Sequence, residues 1–208
     1  MSSTPEDLRA LLDATLAHYN ARADAFWEAT RDHDVRQNRE ALLAALGPGG
    51  PWTILDLGCG PGRDLRAFSE QGHRVIGIDG ASRFVDMAAS FSGCEVWHQD
   101  FLQLDLPALF FDGIFANASL FHVPRQALPC VLSQLRAALK PTGVLLSSNP
   151  RGDNEESYRD GRYGVFYDWP SWKYLLCGAG FVEVTHYYRP ADVAPEQQRW
   201  IASVWRKE

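Results

Sequence analysis

Trp52-Thr-Ile-Leu-Asp-Leu-Gly-Cys-Gly-Pro-Gly-Arg-Asp-Leu65 is the stretch on which the fold turns. Thr53 to Leu57 is a short apolar run with β-branched residues; it feeds Gly58, Gly60 and Gly62, and a helical apolar pattern resumes at Leu65. The reading is a buried strand, a tight glycine turn and a helix N-terminus. Glycine serves where the backbone must take conformations closed to other residues and let a ligand come close. The helix start adds free N–H groups and a positive dipole end that suit an anionic group.

Outward from that turn, strand and helix patterns alternate. After the helix from Arg63 to Gly72 come a strand at Val75 to Asp79, a helix from Ser82 to Phe91 and a strand at Glu95 to His98. A strand at Phe111 to Ala116 leads to a helix with Leu128, Val131, Leu132, Leu135 and Leu139 on one face, then to a strand from Val144 to Asn149. Residues 150–168 read as a polar, aromatic loop, followed by a helix about Ser171 to Gly178 and final strands at Phe181 to Tyr188 and Trp200 to Arg206. This alternation predicts an α/β, doubly wound sheet.

Upstream, Thr4-Pro5-Glu6-Asp7 is a helix start with a capping hydroxyl and an acid three residues on. Leu8, Leu11, Leu12, Leu16 and Tyr19 follow at helical spacing, and a further helix through Leu42, Leu43 and Leu46 stops at Gly47-Pro-Gly-Gly50. The 208 residues fit a single domain, with 1–50 an N-terminal helical part of it and 51–208 its main body.

Twenty basic residues against 26 acidic give a net charge of −6, with no basic run, which argues against nucleic acid or an anionic membrane as partner. No apolar stretch is long enough to span a bilayer and no leader pattern opens the chain, so a cytoplasmic protein, monomer or homodimer, is expected. Cys59, Cys94, Cys130 and Cys177 are scattered, without metal-ligand spacing, and read as free buried thiols; no metal site is expected.

The third glycine falls one position early for the dinucleotide fingerprint G-x-G-x-x-G, since Arg63 stands where that glycine would be. Asp56-x-Gly58-x-Gly60-x-Gly62 instead resembles motif I of the class I S-adenosylmethionine (SAM) methyltransferases. The resemblance implies a Rossmann-like seven-stranded sheet with its last strand antiparallel, an N-terminal helical lid, SAM as cofactor and S-adenosylhomocysteine (SAH) as product. In such a site Asp56 orients the cofactor's amino group, and Gly58, Gly60, Gly62 and Arg63 form the turn. Asp79, with Gly80 after it, accepts hydrogen bonds from a ribose diol. Asp100 and Phe101, after the third strand, read the adenine amine and line its ring. Tyr19 and Thr30 of the lid reach the cofactor's carboxylate or sulfonium region, although helix packing by Tyr19, Phe26 and Trp27 is an equal reading. Asn117 and Ala118, with the residues on to His122, lead off the fourth strand and should border the cofactor's sulfonium and the acceptor, since ligands of open α/β sheets sit beyond the strands' carboxyl ends.

Methyl transfer needs alignment more than a nucleophile. His122 is the one histidine placed to act as base or to orient an acceptor, or else it packs at a helix start. The segment after the fifth strand offers Asn149, Arg151, Tyr158, Arg162, Tyr163, Phe166 and Tyr167, cationic and aromatic groups suited to a small acceptor with a carboxylate and a flat ring. Tyr163 is taken as an aromatic clamp on that ring, with His122 the other catalytic candidate. The tail, from Arg162-Tyr-Gly-Val-Phe-Tyr-Asp through His186-Tyr-Tyr-Arg-Pro190 to Gln197-Gln-Arg-Trp-Ile-Ala-Ser-Val-Trp-Arg206, resembles the methyltransferase module of the ovothiol synthases and its stand-alone relatives. That implies methylation of an imidazole nitrogen on a thiol- or selenol-bearing histidine derivative. Another small-molecule acceptor, a NAD-binding oxidoreductase and a non-catalytic binding module are the alternatives.

Overall fold

The structure, a computed structural model, describes residues 4–208 apart from the side chain of Arg159; Met1 to Ser3, part of the chain start read above, lie outside the described residues. Its strands are β1 (Thr53–Leu57), β2 (Arg74–Asp79), β3 (Glu95–His98), β4 (Phe111–Asn117), β5 (Leu139–Pro150), β6 (Glu155–Arg159), β7 (Arg162–Phe166), β8 (Phe181–Arg189) and β9 (Trp200–Lys207). Seven of them form one sheet in the order β3-β2-β1-β4-β5-β9-β8, and β6 and β7 pair separately. β3, β2, β1, β4 and β5 run parallel, and β9 lies antiparallel to both β5 and β8. This is the Rossmann-like fold of the SAM-dependent methyltransferases, with the last strand antiparallel.

The helices are α1 (Pro5–Ala21), α2 (Ala23–Thr30), α3 (Arg36–Leu46), α4 (Arg63–Glu70), α5 (Ser82–Ser92), α6 (Leu128–Ala138) and α7 (Trp169–Gly178). At the start of α1, Asp7 N–H donates to Thr4 Oγ1 at 3.2 Å and Thr4 N–H donates to Asp7 Oδ2 at 2.8 Å. The predicted cap is therefore reciprocal, satisfying donors that a bare helix end would leave open.

Side chains alternate across β1, so Leu55 and Leu57 join the core under α6 and α7, while Ile54 faces the core under α3, α4 and α5. Asp56 shares the face of Ile54, which sets it near α4. The largest buried rings of the first core, Trp172 and Trp205, carry polar N–H groups. Trp172 Nε1 donates to Ser147 Oγ at 3.1 Å and to Ser203 Oγ at 3.2 Å, and Trp205 Nε1 donates to Ser203 Oγ at 2.8 Å. Ser203→Ala should leave the Trp205 N–H buried without a partner and cost about 1–3 kcal/mol of stability, readable by denaturant unfolding. An unchanged unfolding midpoint would remove this pair from the account of the core.

Two expectations need correction. Residues 150–168 are not simply a loop, because β6 and β7 form a hairpin closed by Asp160 (φ 52°) and Gly161 (φ 78°). Asp-Gly in a two-residue connection is a strong hairpin signal, since both central residues need positive φ. The cysteines are not uniformly buried either: Cys59 is, Cys94 is intermediate, and Cys130 and Cys177 are exposed. Cys130 and Cys177 fall on the outer sides of α6 and α7, whose inward faces are taken by leucines and Trp172. Among the described residues no helix is long and apolar enough to cross a membrane, and none of the acidic, His and Cys side chains cluster as a metal site.

Candidate functional site

Strand order reverses between β1 and β4, and a cavity opens beyond the carboxyl ends of these strands. Its floor is Gly58 and Gly60 after β1, Asp79 and Gly80 at the end of β2, Gln99, Asp100 and Phe101 after β3, and Ala118 and Ser119 after β4. Leu12, Thr15, Leu16 and Tyr19 of α1 and Phe26 of α2 roof it, and His122 closes one end. The stripe Leu12, Leu16 and Tyr19, which reads as core-facing by its spacing, covers this cavity; an apolar face looks the same in sequence whether it meets core or ligand.

The floor depends on backbone that lacks side chains. Gly58 has φ 71°, and a Cβ there would stand 2.5 Å from Ser119 Cβ. Ala118, with φ 59°, takes the same left-handed region despite its side chain, and its N–H donates to Ser148 O at 2.8 Å. Strained conformations of this kind concentrate where a ligand or reaction requires them. Gly62 serves a different end: it does not line the cavity, and its missing Cβ lets α4 meet α5, Ala88 Cα lying 2.8 Å from where that Cβ would be.

Asp79 receives N–H donors from Gly60 at 2.9 Å on Oδ2 and from Ala81 at 2.9 Å on Oδ1, leaving further lone pairs open to the cavity. Burial pushes its pKa up to about 6 against those donors. Asp56 is 3 % exposed and its Oδ2 has no partner. Burial, and then neighbouring Asp64, raise its pKa well above its ordinary value, and the side chain does not line the cavity. Asp100 accepts from Leu102 N–H at 2.8 Å and pairs with Arg9 of α1 at 2.8 Å, so the roof is tied to the third strand's loop at this residue.

Several residues read from sequence stand elsewhere. The Thr30 hydroxyl donates to Phe26 O at 2.7 Å within α2 and lines no part of the cavity. Arg63 pairs with Asp64 at 2.8 Å and donates to Thr30 O at 2.8 Å, facing a shallow outer groove. Asn117 accepts from Asn38 Nδ2 at 2.8 Å, behind the cavity wall. Asn149 is buried beside β9 with Oδ1 unpartnered, and Arg151 reaches Pro195 O and the Tyr188 ring.

The acceptor set divides by the period of β7. Tyr163, Val165 and, just beyond the strand, Tyr167 point into the core; Tyr163 Oη donates to Glu156 Oε2 at 2.7 Å, and Arg125 covers the Tyr167 ring. Tyr158 is 54 % exposed. A clamp by Tyr158, Tyr163 and Tyr167 is therefore not assembled. On the other face, Arg162 lies 5.8 Å over the Tyr19 ring, and Phe166 lies 6.2 Å from Phe121, which is 6.4 Å from Trp200. Phe121 falls within the segment Asn117 to His122 that is expected to border the reacting centre, and Trp200 lies in the tail, where filling the sheet–helix interface is the favoured reading; neither is singled out by a pattern of its own.

His122 is 8 % exposed. Its Nδ1 is 2.6 Å from Tyr163 O and its Nε2 2.8 Å from Tyr19 Oη. Burial, with Arg162 and His18 adding to it, lowers its pKa to about 4, so the ring is neutral at physiological pH.

Residues 54–143 match the family model of a methyltransferase domain. A trans-aconitate 2-methyltransferase of Azoarcus sp. is 35 % identical over 130 residues, 62 % of this chain and 50 % of that protein. A sterol 24-C-methyltransferase of Yarrowia lipolytica is 28 % identical over 159 residues, 69 % of this chain and 39 % of that one. The chain thus spans half or less of the length of these curated relatives. The crystal structure of a Burkholderia thailandensis 1,6-didemethyltoxoflavin-N1-methyltransferase, with bound 1,6-didemethyltoxoflavin and SAH, superposes with a TM-score of 0.80 at 25 % identity, covering 100 % of this chain and 92 % of that one.

Proposed function

We propose that this chain, which carries the class I SAM-dependent methyltransferase fold and takes SAM as its cofactor, methylates a small anionic acceptor. The acceptor class its residues suit best is an imidazole nitrogen of a thiol- or selenol-bearing histidine derivative. The residues present fit the cofactor on two observations of the structure. Asp56, outside the cavity lining but at the end of the strand that leads into the glycine turn, keeps a buried, unpartnered Oδ2, and Asp79, on the cavity floor, keeps lone pairs free of its two backbone donors. Asp79 would hold the ribose hydroxyls, and Asp100 and Phe101 the adenine. The cofactor supplies an electrophilic methyl group on a sulfonium; this chain supplies position, shelter from water and recognition of the acceptor.

One observation carries the acceptor reading. Arg162, beside the cavity and over Tyr19, has no carboxylate in ion-pairing contact among the described residues, and Phe121, Phe166 and Trp200 stand half-buried on the same side. A guanidinium over the Tyr19 ring, with flat apolar rings on the same side of β7, suits a carboxylate and a heteroaromatic ring. The likeness of the tail to the ovothiol-type module supports an imidazole in that place. The trans-aconitate methyltransferase match favours a second reading, a small carboxylate acceptor without the ring.

Incubation with SAM and imidazole, thiol, selenol and catechol acceptors, followed by mass spectrometry, should show one added methyl on an imidazole nitrogen. Methylation confined to catechol oxygens would overturn the imidazole reading. In calorimetric titration SAH should bind and NAD should not, because the glycine spacing differs from the dinucleotide pattern; tighter binding of NAD would overturn the cofactor assignment.

A further inference from the structure

The contacts of His122 fix the direction of a hydrogen bond at the centre of the site. A carbonyl oxygen only accepts, so Nδ1, 2.6 Å from Tyr163 O, carries the ring proton. In the neutral ring Nε2 is then bare, and Tyr19, 2.8 Å away, must be the donor. The two rings meet edge to face, with centroids 5.4 Å apart and planes at 81°. Both nitrogens of His122 are thereby used within the protein, and the side chain it acts through is Tyr19, which lines the cavity.

We propose that Tyr19 presents a fixed, acceptor-only oxygen to the methyl acceptor, and that His122 is the positioning residue that keeps its proton turned away. This rests on the methyltransferase reading of the site and adds to it a rule of selection. A ligand group that meets the Tyr19 oxygen must bring its own hydrogen: a ring N–H is received, while a carbonyl, a carboxylate or a bare ring nitrogen meets lone pairs. Arg162, over the same ring and itself a hydrogen-bond partner of the Tyr19 hydroxyl from one side, offers only donors, so the ligand meets the oxygen's remaining lone pair and the guanidinium together. An N–H donor and an anion on neighbouring parts of one small molecule are what the pair selects. The arrangement also removes one role read from the sequence: with its proton committed to His122, Tyr19 has none to give a carboxylate.

The charged and titratable groups that face His122 are Tyr19 and His18 of α1 and Arg162 of β7; with burial, Arg162 and His18 oppose an imidazolium, so the orientation holds through neutral pH. No proton transfer is required of the pair, and none is assigned to it.

Two measurements test this. In protein labelled with ¹⁵N at histidine and loaded with SAH, His122 should show a protonated Nδ1 and a bare Nε2 from pH 6 to pH 8; the opposite tautomer, or a titration within that range, overturns the proposal. The second compares binding of imidazole-4-acetate and its ring N-methylated form to the SAH-loaded protein. The N–H probe should bind about tenfold or more tightly than the methylated one, the worth of one hydrogen bond to a fixed partner. That preference should collapse in Tyr19→Phe and shrink in His122→Phe, whose ring cannot accept from Tyr19. A preference that survives in Tyr19→Phe shows that the methyl group is rejected by bulk and overturns the proposal. Absence of SAH binding in the unaltered protein would instead overturn the cofactor assignment, so the two failures are distinguishable.

Discussion

Asp79→Ala should weaken SAH binding by about 1.5–3 kcal/mol, roughly 10- to 150-fold in Kd, while the protein stays folded. The carboxylate holds two backbone N–H groups, from Gly60 and Ala81, and those loops form the cavity floor. Each oxygen still has a lone pair for a ribose hydroxyl, and hydrogen bonds to an ionised acceptor lie at the upper end of the usual range. The pH dependence has a definite sign. Burial raises the Asp79 pKa to about 6, so the carboxylate protonates as pH falls through that value and an acceptor is lost from the ribose site. Donors from a bound diol favour the ionised form, so binding should release a proton near pH 6, and affinity should fall on the acid side. Asp56 is also raised, chiefly by burial, but Asp79→Asn removes only the contribution of Asp79. Calorimetry in buffers of different ionisation heat reads the released proton. Unchanged affinity in folded Asp79→Ala, or the same pH profile in Asp79→Asn, would take Asp79 out of the ribose site.

Sequence carried the fold well because its signals were local. The β1 run, the glycine turn and the Thr4 cap are each set by a few adjacent residues, and each stands where its pattern placed it. The cavity floor was legible for the same reason, since Gly58, Gly60, Asp79, Gly80, Asp100, Phe101 and Ala118 follow strand ends directly. The roof and the acceptor side were not. Thr30 sits in a short helix where its hydroxyl turns back on Phe26 O, an option open to any helical threonine. Arg63 lies one residue before Asp64, and the ion pair, not the turn, decides where its side chain goes. For β7 the deciding fact was strand rather than loop: once Asp160-Gly161 is read as a hairpin turn, Tyr163 and Tyr167 fall on one face and Arg162 and Phe166 on the other.

Arg162→Met should therefore reduce kcat/KM for a carboxylate-bearing acceptor by about 10- to 150-fold, the loss of a charge-assisted hydrogen bond, with SAH affinity nearly unchanged. Methionine retains apolar bulk over the Tyr19 ring, so the loss reports the guanidinium and not the cover it provides. Tyr163 gives the contrast. Its ring is 4 % exposed in the core, so Tyr163→Ala should act as a large core deletion, costing about 3–5 kcal/mol of stability. Tyr163→Phe keeps that volume and the backbone groups that matter to the site, the carbonyl on His122 and the N–H donated to Thr15 Oγ1 at 2.9 Å. It loses only the hydroxyl facing Glu156 and Arg125, away from the cavity. Tyr163→Phe should thus turn over the acceptor at close to the unaltered rate, with a stability loss of about 1 kcal/mol. A Tyr163→Phe variant as slow as Arg162→Met, both fully folded, would return the phenol to the acceptor site and place the acceptor's anion somewhere other than Arg162.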